Sequence, residues 1–152
     1  MTKLACNCPG ANVRIIEKKT IEDAASGESR PSELRQWPTQ LQLVPPTAPY
    51  LKDAHLLIAA DCAPFAYAEF HRDFIKGRVL VNACPKLDDT SSYVDKLAAM
   101  ISQNDIKSVT VPIMEVPCCR GLAMMAQQAV EKSGKDIPLV ISVIGVDGER
   151  KS

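Results

Sequence analysis

The sequence predicts an α/β fold: a mostly parallel open sheet of about five strands, with helices packed on it in a Rossmann-like arrangement. Three observations carry that expectation. Runs at 55–60, 79–83, 106–116 and 139–144 are predominantly apolar, without the polar alternation of a half-solvated sheet, as strands buried in a parallel sheet are. Between them lie segments whose apolar residues recur at three- and four-residue intervals, the spacing of a helix with one buried face. Cysteines follow three of these runs, at Cys62, Cys84 and Cys118-Cys119. Strand alternating with helix is the pattern of crossover units in a parallel sheet. Right-handed crossovers bring all the strands' C-terminal ends to one edge, where ligands of open α/β sheets bind. The predicted fold would therefore gather these four thiols on one edge.

Taken in order, residues 1–36 read as a cysteine-containing N-terminal segment and linker, and 37–152 as an α/β metal-binding domain. The segment opens with Cys6-x-Cys8-Pro9-Gly10 and turns polar around Ser26-Gly27-Glu28-Ser29-Arg30-Pro31-Ser32, a loop composition. At about 3.3–3.6 Å per residue it lets Cys6 and Cys8 reach almost any face of the domain. Trp37-Pro38 enters the folded part. Leu41 and Leu43 suggest a first strand, stopped by Val44-Pro45-Pro46.

The second strand, 55–60, runs into Asp61-Cys62. Pro64 suits a first helical turn, and Asp61 is placed to cap it. Tyr67, Phe70, His71 and Phe74 would form one inward stripe, and Gly77 would supply a left-handed cap. After the third strand, 79–83, comes Cys84-Pro85. Ser92 and Asp95 resemble a capping box at the head of a helix carrying Val94, Leu97, Ala98 and Ile101. The run 106–116 is the fourth strand. Pro112 inside it cannot donate to a ladder, so an edge position or a bulge is expected there. Leu122, Met125, Ala126 and Ala129 mark the next helix, closed by Ser133-Gly134. The last strand is 139–144, followed by a turn at Asp147-Gly148.

Composition bounds the function classes. A chain of 152 residues, 46% hydrophobic and 24% charged, is long enough for one domain with a real core. Eighteen basic and eighteen acidic residues balance, so no basic surface points to nucleic acid or an anionic membrane. No apolar stretch approaches the roughly 18–20 residues of a membrane span, and the first residues lack a signal-peptide core. The expected compartment is the cytoplasm, where cysteine clusters more often hold metal than form disulfides.

Adjacent thiols on a strand-to-helix turn, Val116-Pro117-Cys118-Cys119-Arg120-Gly121, sit where a helix N-terminus lowers thiol pKa and favours the thiolate. Cys62, Cys84, Cys118 and Cys119 are the first-choice ligands of a metal centre, with Cys6 and Cys8 as a flap that completes or covers it. Cubane clusters take four cysteine thiolates, and a Cys-Pro neighbourhood suits them. Six thiols leave room for a 4Fe–4S cluster or a larger one. A four-cysteine zinc site and a dithiol/disulfide pair are the alternatives. His71 reads as a core histidine, His55 as structural at the opposite end of its strand, and Met114, Met124 and Met125 as core packing. No phosphate loop, serine–histidine–acid grouping or glycine-rich dinucleotide fingerprint is present.

The segments Ala59-Ala60-Asp61-Cys62, Phe70-His71-Arg72-Asp73-Phe74, Cys84-Pro85-Lys86-Leu87-Asp88 and Met114-Glu115-Val116-Pro117-Cys118-Cys119, with Cys6-x-Cys8-Pro9-Gly10 and Gln36-Trp37-Pro38, carry a family resemblance. Together they resemble the C-terminal globular domain of 4Fe–4S ferredoxin-type iron–sulfur binding proteins of anaerobes. Many members carry a double ferredoxin module ahead of this domain, and this chain has no C-x-x-C-x-x-C run. The resemblance implies cluster binding by the six cysteines, a role in electron transfer or redox sensing as a component of an oxidoreductase system, and a ferredoxin-type or other redox partner protein. Self-association into a homo-oligomer is compatible with it.

Overall fold

The described residues, 9–17 and 29–152 of a computed structural model, begin with a short antiparallel ribbon, β1 (Arg14–Ile15) on β2 (Gln36–Trp37). Cys6, Cys8 and the central part of the expected linker lie outside the described residues. The ribbon straddles the boundary expected at residue 37. Gln36 ties it to the sheet: its buried side-chain amide donates to the Leu80 carbonyl at 2.6 Å.

The sheet itself has four strands, β3 (His55–Ala60), β4 (Val79–Ala83), β5 (Ser108–Met114) and β6 (Leu139–Ile144). They are all parallel, in the order β4-β3-β5-β6. The fifth expected strand is absent. Around Leu41 the chain makes one bridge, Gln40 to Asn82, then turns back with the Val44 amide on the Gln40 carbonyl. Leu41 and Val44 are nevertheless fully buried, so the apolar signal there reported burial and not extension.

Helices α1 (Ala63–Ala66), α2 (Tyr93–Gln103) and α3 (Arg120–Ser133) connect the strands. The chain steps outward from β3 to β4, then crosses back over β3 to β5 and on to β6. Right-handed connections in opposite directions place α2 and α3 on one face and the α1 segment on the other, and α2 packs on α3. Leu97 and Ile101 of α2 and Leu122, Ala126 and Ala129 of α3 are buried as the helical stripes predict. Gly77 takes the expected left-handed conformation, φ 76°, and Gly134, which closes α3 as expected, is left-handed too, φ 72°.

The segment after Cys62 departs from its expected single helix. α1 lasts one turn, Tyr67 is extended, and a π-type turn spans His71–Ile75. Phe70 and Phe74 are buried and stack on each other, but His71 is exposed and accepts the Glu33 N–H at its Nδ1. The extra residue of the π turn rotates His71 off the core stripe. Ser92 heads α2 without a side-chain cap bond, so the capping box is not made.

Pro112 is neither at an edge nor in a bulge, because β5 is central and pairs with both neighbours. Val109 and Glu115 N–H groups point to the β6 side. Alternation along the strand therefore turns the Pro112 nitrogen toward β3. The β3–β5 ladder runs only from His55↔Ser108 to Leu57↔Thr110, whereas β5–β6 continues to Met114↔Ile144. The missing donor coincides with the end of that ladder, whose last pair is Leu57↔Thr110.

The turn after β6 is pinned to α1. Gly148 has φ 85°, and a Cβ there would lie 2.8 Å from the Ala66 carbonyl oxygen. Gly148→Ala should destabilise the fold by about 1–3 kcal/mol through this strain, read as a lower urea midpoint at unchanged slope. A midpoint equal to wild type would mean the turn does not hold this contact in solution.

Candidate functional site

Where β3 and β5 part, the C-terminal ends of the strands enclose a crevice of about 190 Å³. It sits where strand order reverses, the usual ligand position in open α/β sheets. Cys62, Cys84, Cys118 and Cys119 all line it, walled by apolar neighbours such as Ala60, Ala83, Pro85, Met114, Val116 and Val146. The four thiols expected at this edge thus share one cavity. Cys62 and Cys118 are exposed, Cys84 is half-buried and Cys119 is buried.

Each thiol is placed by backbone features traceable to the sequence. Ala60 and Ala83 stay paired to the strand ends, and the Asp61 N–H reaches the Ala83 carbonyl, so Cys62 and Cys84 leave adjacent strands together. Asp61 accepts a 2.6 Å hydrogen bond from the Asn82 side-chain amide. It clamps the two strand ends and does not cap α1, whose N-cap position is Cys62 itself. Cys84 opens a tight turn closed by the Asp88 N–H on its carbonyl. The Asp88 carboxylate accepts the Cys84 N–H at 3.1 Å and the buried Tyr93 hydroxyl at 2.7 Å. Burial first, and the Asp88 hydrogen bond and charge second, push the Tyr93 hydroxyl well up and keep it protonated.

Cys118 and Cys119 occupy a short 3-10 turn, Pro117–Cys119, that runs directly into α3. Contrary to the thiolate expected at a helix N-terminus, burial pushes the Cys119 thiol up. The neighbouring Cys118 and Cys62 sulfurs add to the rise, and the Met114 main-chain N–H bonded to the Cys119 sulfur opposes it. Desolvation here outweighs the helix end because no charged side chain among the described lining residues except Asp61 approaches the cavity.

An all-sulfur donor set in an apolar crevice suits soft, thiophilic metals and clusters. The four thiols are spread around the wall: among the described residues, no group of three or more His, Cys, Asp or Glu side chains converges to hold an ion. His71 lies outside the cavity lining, and His55, bonded to Ser108 at the opposite end of the sheet, plays no part in it. Met114 lines the cavity, whereas Met124 is exposed on α3 and not in the core. Sequence reasoning missed the anchoring role of Asp88 and Tyr93. The Cys-x-x-x-Asp spacing of a side-chain-closed turn was the available signal.

No helix among the described residues is long and apolar enough to cross a membrane. Comparison with known proteins matches residues 48–151 to a family model described as a Rossmann-like domain. The chain is also 34% identical over 116 residues to an uncharacterized protein of Archaeoglobus fulgidus, covering 76% of this chain and 81% of that one. No solved structure matches.

With metal absent, iodoacetamide should modify Cys62 and Cys118 first and Cys119 last. The Cys119 rate should keep rising above the ordinary thiol range of about pH 8.5. The sign for stability follows: the folded state holds the Cys119 proton to higher pH than the unfolded state, so this contribution is lost as pH rises through the folded value. Peptide mapping of the alkylated chain checks the order, and a Cys119 that reacts as fast as Cys118 would contradict its burial.

Proposed function

Because the chain belongs to the Rossmann-like domain family and lines the crevice of its sheet with four thiols, we propose that it binds an iron–sulfur cluster there and serves electron transfer or redox sensing. The observation that carries the reading is the sharing of one apolar cavity by Cys62, Cys84, Cys118 and Cys119. Four thiolates cannot all ionise in such a cavity without a countercharge. A bound iron–sulfur centre supplies that positive charge and a one-electron redox couple. The protein's own residues do the rest. Asp88 and Tyr93 fix the Cys84 turn, the Asp61–Asn82 clamp aligns Cys62 with it, and Met114 donates its N–H to the Cys119 sulfur. Hydrogen bonds to cluster sulfurs and exclusion of water are the two levers by which a fold tunes such a potential.

A second reading has an observation in its favour. Cys118 and Cys119 are adjacent on one short turn, and no three-ligand group is converged among the described residues. That arrangement suits a dithiol that cycles with a disulfide, or a zinc site in a regulator or scaffold for a redox partner.

Iron, acid-labile sulfide and zinc per chain, measured on protein purified without oxygen, separate the two. Iron and sulfide in matching amounts, with a brown absorption that bleaches on reduction, are expected. Zinc alone, or titratable thiols without metal, would move the function to the second reading. Cys84→Ser should then reduce bound iron to well under half of wild type while the far-UV circular dichroism persists. Full loading of that variant would remove Cys84 from the ligand set.

A further inference from the structure

Away from the crevice, ionisable side chains gather where residues 30–35 lie along the segment that follows α1. The Glu33 N–H donates to the His71 Nδ1 at 3.1 Å, and Arg30 pairs with Glu69. Arg72 pairs with both Glu69 and Asp73, and the Tyr67 hydroxyl donates to Asp73 at 2.6 Å. None of these residues lines the thiol crevice. The bond at His71 carries a chemical condition that the others lack. Nδ1 accepts an N–H only through its lone pair, so the imidazole that holds Glu33 is neutral, with its proton on Nε2. An imidazolium has a proton on both nitrogens and no acceptor, whichever way the ring is turned. Proton binding and Glu33 binding compete for one lone pair, and each weakens the other by the same factor.

We propose that His71 is a proton-operated clasp: neutral, it holds residues 30–35 on the segment beyond α1, and on protonation it releases them while Gln36 keeps the ribbon in place. The attachments on either side of the bond divide in that way. Past Glu33 the chain is fixed by a group that does not titrate. The buried Gln36 amide donates to the Leu80 carbonyl at 2.6 Å and accepts the Leu80 N–H at 3.4 Å. Between Arg30 and Arg35 the holds are slight. The Arg30–Glu69 pair is largely solvated, and such pairs contribute little. The Leu34 N–H and the Arg35 guanidinium bond within the stretch itself, to Ser32 and Leu34, so they move with it. Leu34 is only half-buried against the core. That leaves Glu33 on His71 as the tie between the main chain of this stretch and the segment beyond α1.

The charged groups around His71 come from every element packed there. Arg30, Glu33 and Arg35 belong to the released stretch, and Glu69, Arg72 and Asp73 to the segment of His71 itself. Arg78 bonds the Asp73 and Phe74 carbonyls, and Arg150 of the C-terminal turn lies over the Phe74 ring at 5.2 Å. Hydrogen bonds from Arg72 first and Tyr67 second hold the Asp73 carboxyl down to about 2, so it stays ionised wherever an imidazole titrates. Ordinary carboxylates and guanidinium groups likewise keep their charge between about pH 5.5 and 7.5, whereas an ordinary imidazole changes its own in that range. The sign follows: acid loosens the stretch and neutral pH fastens it.

Amide hydrogen exchange on the full chain, read by mass spectrometry at about pH 7.5 and 5.5 and corrected for intrinsic rates, tests the clasp. In the wild type, residues 30–35 should lose about fivefold in protection at the lower pH, the equivalent of one ordinary hydrogen bond. Residues 55–60 and 79–83 should keep theirs. His71→Asn, whose Oδ1 can stand in for Nδ1 without titrating, and His71→Ala should both lose the pH dependence. His71 is exposed, so neither variant is expected to unfold. A flat wild-type profile would overturn the clasp. So would a pH dependence that survives in either variant, which assigns it to another ionisable group, or a loss shared by 55–60, which makes it global. The crevice thiols take no part, so these outcomes stand whatever the crevice binds.

Discussion

The site depends on a ladder that stops early. β3 and β5 are adjacent in the sheet and share three register pairs before separating, while each stays paired to its outer neighbour to its end. Pro112 enforces the separation, since the position that would next donate toward β3 has no N–H to give. Beyond it, the Met114 N–H on that same side is free of the sheet and bonds the Cys119 sulfur. A residue that looks like a flaw in a central strand thus opens the crevice and releases the backbone donor that the crevice uses.

The walls divide accordingly. One half, β4 with β3, carries Cys84 and Cys62 and is locked by polar contacts: Asp61 with Asn82, and Asp88 with Tyr93 and the Cys84 N–H. The other half, β5 with β6, carries Cys118 and Cys119 on a turn held by apolar packing, with Leu122 and Ala126 buried beneath it. The carboxylates accept from a side-chain amide, a backbone N–H and a hydroxyl, so hydrogen bonds satisfy them without a cation beside them. The space between the halves is left apolar, which keeps Cys119 protonated.

Much of this was legible in the sequence where one physical signal dominated. Parallel strands buried on both faces read as predominantly apolar runs, and 55–60, 79–83 and 139–144 coincide with β3, β4 and β6. Gly77 announced a left-handed residue because few others tolerate positive φ, and Gly134 announced the end of α3. The placing of four cysteines around one cavity at the sheet edge followed from topology alone. The misreadings arose where two structures share a signal. Leu41 is apolar and buried in a turn, as it would be in a strand. Phe70, His71 and Phe74 fit a helical stripe, but one π-type turn rotates His71 outward. Pro112 was read against a complete ladder, although strand pairing can end on one side only. The thiolate expectation weighed a helix end without burial, and burial cannot be read from spacing.

Two strand pairs, each internally continuous and joined to the other by only three register pairs, have consequences for any ligand of this crevice. A species held by all four sulfurs must span the halves, so its binding energy acts across the shortest ladder of the sheet. A disulfide between Cys118 and Cys119 would lie within one half and leave the seam unconstrained. One linking Cys62 to Cys119 would cross it. The sulfurs of Cys118 and Cys62 both raise the Cys119 thiol, so both pairings are near neighbours electrostatically while differing mechanically. The fold thus distinguishes events on one wall, which change the charge of the crevice, from events that bridge it, which also fix its width.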